Sequence, residues 1–258
     1  MTWTPELIVE QSVRWASSWH PPGSAHIVDA GHEFYLLDGE ATLLRYHGPL
    51  TDPRAVLDET RKIVASHGAT TVRITVGPGT FNDLSDDDLT ACHAEIVNVL
   101  DIDALELTGS TLDTMSTPSD IDVIEVAVDD PIGLDEFSRV SLEAWGFPPP
   151  VLDDLDNDVE NDSGATTPGL FVARIDGVGV ATAGYALVDG VARMWGAATL
   201  PDFRGRGVYR ALIAARLRDA RARGATLAIV HAERTSSPIL QHLGFRKYGE
   251  RHLTRLSV

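Results

Sequence analysis

The sequence predicts an α/β chain in which a mixed sheet flanked by helices is built twice from a hairpin, a helix and a strand. Three observations point there. FYLLDGEATLL (34–44) aligns with YALVDGVARMW (185–195) at an offset of 151, sharing Leu, Asp-Gly and Ala. PRAVLDETRKIVASHGATTVRITV (53–76) aligns with YRALIAARLRDARARGATLAIVHA (209–232) at an offset of 156, sharing Arg-Ala and Gly-Ala-Thr. The five residues by which the offsets differ fall in the second copy, in the segment that holds Arg204-Gly205-Arg206-Gly207. Self-similarity of this kind marks an internal repeat.

In the first copy a hairpin turns at Asp38-Gly39, a helix follows from Pro53 and a strand runs to Val76. Where the second copy has its glycine run, the first has Gly48-Pro49-Leu50-Thr51-Asp52. Asp52 then stands at the helix start, where it would repel a phosphate. Asp86-Asp87-Asp88 reads as an acidic helix N-terminus rather than a metal site, because three adjacent side chains do not converge on one ion without a calcium-loop geometry. GSTLDTMSTPSD (109–120) is poor in large apolar groups and reads as the linker, which divides the chain into domains 1–117 and 121–258.

Beyond the linker, Asp122 to Val128 reads as a strand and Leu134 to Trp145 as an amphipathic helix. A polar loop from Phe147 to Pro168 carries Asp153, Asp154, Asp156, Asp158, Glu160 and Asp162. Three apolar strands follow, Leu170 to Ile175, Gly179 to Val188 and Val191 to Leu200, joined by Asp176-Gly177 and Asp189-Gly190 as hairpin turns. After Pro201 the period becomes helical. Leu212, Ile213, Leu217 and Ala220 share a face, Arg210, Arg218 and Arg221 lie off it, and Gly224 closes the helix. Ala225 to His231 reads as a buried strand, Thr235 to Pro238 caps a short helix ending at Gly244, and Lys247 to Leu256 is the last strand.

Composition narrows the function classes. With 43% hydrophobic and 23% charged residues, the chain has the usual mix of a globular protein. No run approaches eighteen apolar residues and MTWTPELIVEQSVRWASSW has neither a basic leader nor an apolar core, so no membrane association and a cytoplasmic location are expected. A lone Cys92 excludes an intramolecular disulfide and a cysteine zinc cage. The net charge of −17 argues against a nucleic-acid partner. That charge is uneven: residues 170–258 sum to +8, a basic island that suits a small polyanion.

The chemistry-bearing segment is ATLPDFRGRGVYRALI (198–213), in which a strand ends, a glycine turn follows and a helix begins near Val208. Glycines let the backbone approach a ligand closely. The N–H groups and dipole of the helix start then face the same space, which suits a pyrophosphate, and Arg204, Arg206 and Arg210 add charge. A Walker loop would need Gly-Lys-Ser/Thr and a dinucleotide fold Gly-x-Gly-x-x-Gly; neither is present.

Strand, Arg-Gly-x-Gly-Val, apolar helix, buried strand and a short helix ending in Leu243-Gly244-Phe245 together resemble the GNAT superfamily of N-acetyltransferases over residues 121–258. The first half resembles a degenerate copy, so the resemblance implies tandem GNAT-like domains, each with a V-shaped mixed sheet flanked by helices. It implies acetyl-CoA as co-substrate with no metal, held where the sheet splays between its fourth and fifth strands. The backbone of Ala197, Ala198 and Thr199 would pair with the pantetheine arm, and Arg204, Gly205, Arg206, Gly207, Val208 and Tyr209 would hold the pyrophosphate. Tyr209 departs from the Gly or Ala common there.

Acyl transfer to an amine needs a neutral amine, a polarised carbonyl and a proton for the leaving thiolate. The tyrosine that the family often supplies for the thiolate falls at Leu240, and the fourth strand has Arg193 and Trp195 instead of a base carboxylate. His231, Glu233 and Tyr248 are the remaining catalytic candidates, each also readable as a structural residue. The expected acceptor is a primary amine of a small molecule or peptide, drawn as a cation to the acidic loop at 153–162. The alternative from another class is a catalytically inactive acyl-CoA-binding or scaffold protein.

Overall fold

A computed structural model describes residues 2–15, 19–49, 52–81, 84, 86–108, 115, 118–146 and 168–258. The elements in chain order are α1 (Pro5–Arg14), β1 (Ala25–Asp29), β2 (His32–Leu37), β3 (Glu40–Tyr46), α2 (Pro53–Ser66), β4 (Thr71–Val76), α3 (Asp86–Ala91) and β5 (Glu95–Glu106). Then follow β6 (Asp122–Val126), α4 (Pro131–Trp145), β7 (Gly169–Ile175), β8 (Val178–Val188), β9 (Val191–Thr199), α5 (Val208–Ala222), β10 (Leu227–Glu233), α6 (Ser237–His242) and β11 (Arg246–Ser257). No helix among the described residues is long and apolar enough to cross a membrane.

The chain forms two compact units that are not consecutive stretches. The C-terminal unit comprises Met1–Trp3, Asp103–His231 and Pro238–Lys247; the N-terminal unit comprises Thr4–Ile102, Ala232–Ser237 and Tyr248–Val258. The two units are thus made of segments from both sides of the linker at 109–120. The end of β5 belongs to the C-terminal unit, where Leu107 N–H donates to Thr226 O at 2.9 Å. Most of β11 belongs to the N-terminal unit, where Val258 N–H donates to Thr70 O at 3.1 Å. The second half thus gives most of its last strand to the N-terminal unit, and the first half gives only the end of β5, from Asp103, to the C-terminal unit.

Within the N-terminal unit the sheet order is β1-β2-β3-β4-β11, with β3 and β4 parallel and the other neighbours antiparallel. Its core gathers Phe34, Leu57, Val64, Val72, Ile74 and Phe81 with Leu256 from β11. Within the C-terminal unit the order is β10-β9-β8-β7-β6, again with one parallel pair, β9 with β10. Here α4 and α5 cover opposite faces. Leu170 and Val172 pack with Phe137 of α4, whereas Phe171, one residue out of phase, stacks on Tyr185, whose hydroxyl donates to Asp219 of α5.

The repeat is now visible in hydrogen bonds. In β3 and β4 the parallel pairs are Glu40–Thr71, Ala41–Val72 and Thr42–Arg73; in β9 and β10 they are Val191–Leu227, Ala192–Ala228 and Arg193–Ile229, offset by 151 and 156. Thr70 N–H donates to Gly39 O and Thr226 N–H to Gly190 O, each at 2.8 Å. The turns match as well: Asp38 and Gly39 at φ 49° and 79°, Asp189 and Gly190 at 50° and 76°. Two successive positive φ values make the tight turn whose twist suits a hairpin.

Leu256 is fully buried near the chain terminus. Leu256→Ala is expected to cost about 2–5 kcal/mol as a large-to-small core change. Hydrogen exchange should speed up in residues 34–76 and stay near wild type in 169–200; the reverse pattern would contradict the place of β11 in the N-terminal unit.

Candidate functional site

The site begins where β9 leaves its neighbours. Pairing with β10 ends after Arg193–Ile229, with no further pair among the described residues, so the rest of β9 and the next residues of β10 within the same unit, Val230 and His231, form the two arms of a fork. On its other side β9 changes register against β8, from Gly184–Trp195 to Thr182–Ala198. β9 thus carries an extra residue, a bulge at which Gly196 adopts φ 64°. Bulges bend a strand and re-aim its backbone groups. Ala197, Ala198 and Thr199 lie directly beyond, on the open arm.

From there the chain turns tightly. Leu200 N–H donates to Val180 O at 2.9 Å, Pro201–Phe203 form a 3-10 turn, and Arg204 Nε donates back to Thr199 O at 3.1 Å. Gly205 and Gly207 have φ 75° and 85°, values that other L-residues adopt only at a cost. Gly207 is the N-cap of α5 and makes no side-chain cap hydrogen bond to the first N–H groups of the helix. Arg206 pairs with Asp120 at 3.3 Å and lies over the Phe203 ring, 5.7 Å from its centroid. Val208 is buried, while Tyr209 is half-buried in the first turn of the helix.

The N-terminal unit keeps the short parallel ladder but closes the corresponding turn. Asp52 Oδ1 accepts from Ala55 N–H at 3.1 Å at the start of α2, where α5 has only glycine. The Tyr46 phenol covers Gly48 so closely that a Cβ there would collide with it. A carboxylate thus caps the helix start where the other unit has glycine.

Of the catalytic candidates, His231 lies on β10 in the same compact unit as the glycine turn and is half-buried. Glu233 and Tyr248 belong to the N-terminal unit, where Glu233 is exposed and accepts from Asn98 Nδ2 at 3.4 Å. Leu240, at the position of the family's tyrosine, is fully buried. The acidic segment 153–162 lies outside the described residues, as does most of the linker. Asp86–Asp88 open α3, with Asp88 paired to Arg54 at 3.3 Å. Among the described residues no group of three or more His, Cys, Asp or Glu side chains could hold a metal ion.

Two features near the site escaped the sequence reading. Tyr185 donates to Asp219, which also pairs with Arg223, and Arg223 reaches Glu125; burial, then the Asp219 bond, raises the phenol's pKa. Arg216 is buried beneath the bulge, and burial pushes its guanidinium down to about 10, still charged at neutral pH. A signal for Arg216 existed: it follows Leu212 by one helical turn and so sits on the apolar face of α5.

Comparison with known proteins agrees with this geometry. Residues 135–245 match the model of the acetyltransferase (GNAT) family, so this part of the chain is a GNAT domain, of a family of acetyltransferases. The fold of the whole chain is that of tandem GNAT proteins. A tandem GNAT protein from the clavulanic acid biosynthesis pathway is 17% identical, with TM-score 0.67, over 96% of this chain and 87% of that one. A GCN5-related N-acetyltransferase from Kribbella flavida is 20% identical, with TM-score 0.60, over 100% and 96% of the two chains. One from Sphaerobacter thermophilus is 16% identical, with TM-score 0.63, over 89% and 77%. No curated protein sequence matches the chain.

Gly207 is the most constrained residue of the turn, since a Cβ there would also meet Pro118 Cγ at 3.2 Å. Gly207→Ala is expected to lower stability by about 1–2 kcal/mol, the cost of a left-handed backbone for an L-residue. Thermal unfolding checks it; an unchanged midpoint would mean that the turn adapts freely.

Proposed function

We propose that the protein is an acetyl-CoA-dependent N-acetyltransferase that acylates a primary amine of a small molecule or peptide. The observation that carries this reading is the uncapped N-terminus of α5, placed behind Gly205 and Gly207 and directly after the open arm of β9. The backbone of 204–209 is assigned the pyrophosphate, with Arg204, Arg206 and Arg210 adding charge, and the Ala197–Thr199 backbone the pantetheine arm. The bulge bears on the acyl carbonyl, where donors held in advance lower the barrier to attack by the amine. The amine nitrogen bonds to the acyl carbon, the carbon–sulfur bond breaks, and the thiolate takes a proton as the amine loses one. His231, in the same unit as the turn, is the first candidate for moving these protons; Glu233 and Tyr248 follow.

A second reading is supported by two observations. Leu240 stands where the family often has its proton-donating tyrosine, and β9 has no carboxylate, so a protein that only binds acyl-CoA would keep every feature of the turn. Thioester consumption with a panel of amines separates the two, because both bind the co-substrate and only the enzyme consumes it. Gly207→Asp should abolish acetyl-CoA binding measured by calorimetry, with the circular dichroism retained. The wild-type chain should take up one coenzyme A, because the corresponding helix of the N-terminal unit is capped by the Asp52 carboxylate, which would repel a phosphate. Unchanged affinity in the folded variant would remove the glycine turn from the reading, and a stoichiometry of two would reopen the first half.

A further inference from the structure

Arg216 leads the largest fully buried side chains, yet no carboxylate lies within ion-pair distance of it among the described residues. Its bonds go to backbone oxygens. Nη1 donates to Gly184 O at 3.1 Å and to Trp195 O at 3.3 Å, and Nε reaches Leu212 O at 3.4 Å. Gly184 and Trp195 are the last pair before the β8–β9 register changes, so a single guanidinium nitrogen bridges the two strands at the bulge. A buried cation without a counter-ion is costly, and an apolar side chain of similar size would fill the same space without that cost. Packing alone does not account for an arginine here.

Its position does. The bulge hands the chain from the paired part of β9 to the open arm, and Gly196 follows Trp195 directly. A strand with an extra residue has alternative registers, and fixed hydrogen bonds to both strands select one of them. A positive charge held in a dry interior next to that backbone also stabilises negative charge developing nearby, with no reorganisation at the moment of reaction.

We propose that Arg216 is a positioning residue of the acyl transfer: by bridging the Gly184 and Trp195 carbonyls it holds the β9 bulge in the register that aligns the Gly196–Thr199 backbone with the thioester carbonyl, and it supplies fixed positive charge beneath that carbonyl. The inference rests on the reading that the fork takes acetyl-CoA. Its retained charge at neutral pH is consistent with this role.

The test uses acetyl-CoA labelled with ¹³C at the acetyl carbonyl, bound to the full-length wild type, Arg216→Met and Arg216→Lys, with coenzyme A affinity measured separately by calorimetry. Bound to the wild type, the carbonyl resonance should move to the polarised side of its free position. In Arg216→Met that displacement should shrink to roughly half or less, while coenzyme A affinity stays within about threefold. Arg216→Lys, which keeps the charge with shorter reach and fewer donors, should fall between them and provides the reading if the methionine variant does not fold. A folded variant with the full wild-type displacement would overturn the role of Arg216 and leave the acetyltransferase reading intact, as would a wild-type resonance at the free position. A wild type that binds no acetyl-CoA would overturn both.

Discussion

The parallel ladder between β9 and β10 stops after Arg193–Ile229, and the rest of the C-terminal unit is arranged around that interruption. A strand that leaves its neighbour presents a row of unpaired N–H and C=O groups, which must be satisfied by other protein groups, by water or by a ligand. The bulge at Gly196 bends β9 away on its β8 side, and Arg216 takes up the carbonyls at the register change. Immediately after the open arm, the glycine turn delivers an uncapped helix start. Backbone donors in the arm and in the helix start are thereby concentrated in one short stretch of chain. These are the groups to which the proposed function assigns a long ligand with an amide-bearing arm and a phosphate end.

The N-terminal unit shows what the same architecture becomes without that constraint. It has the same short parallel ladder, the same Asp-Gly turn and a glycine after its helix, yet its helix start is capped by Asp52 and its turn is covered by Tyr46. Asp52 thus gives α2 the side-chain cap that Gly207 does not give α5. The two copies differ at most aligned positions, yet the Asp-Gly turns, the parallel registers and the return from helix to strand have kept their hydrogen bonds.

Charge is handled differently at the surface and in the interior. Arg206 meets Asp120 in an exposed pair, an interaction that water weakens and a phosphate can displace. Arg223 ties α5 to β6 through Glu125 and supports Asp219, which receives the Tyr185 hydroxyl. Arg216 has neither arrangement. Its charge is spent on the carbonyl oxygens of Gly184 and Trp195, the last pair before β8 and β9 change register.

By itself the sequence determined what depends on near neighbours: the Asp-Gly turns, the helix over 208–222 that ends before Gly224, the glycine turn ahead of it, and the repeat with its two offsets, which recur in the parallel registers. These are set by local backbone preference and by the period of apolar residues, and both are written in consecutive letters. Only the tertiary structure decided that most of β11 and the end of β5 belong to the unit of the opposite half, because strand backbones pair through groups that every residue carries. Only it showed Arg216 turned inward. Its place on the apolar face of α5 was legible, but the carbonyls that receive it lie at Gly184 and Trp195, and no local pattern specifies a partner that far along the chain.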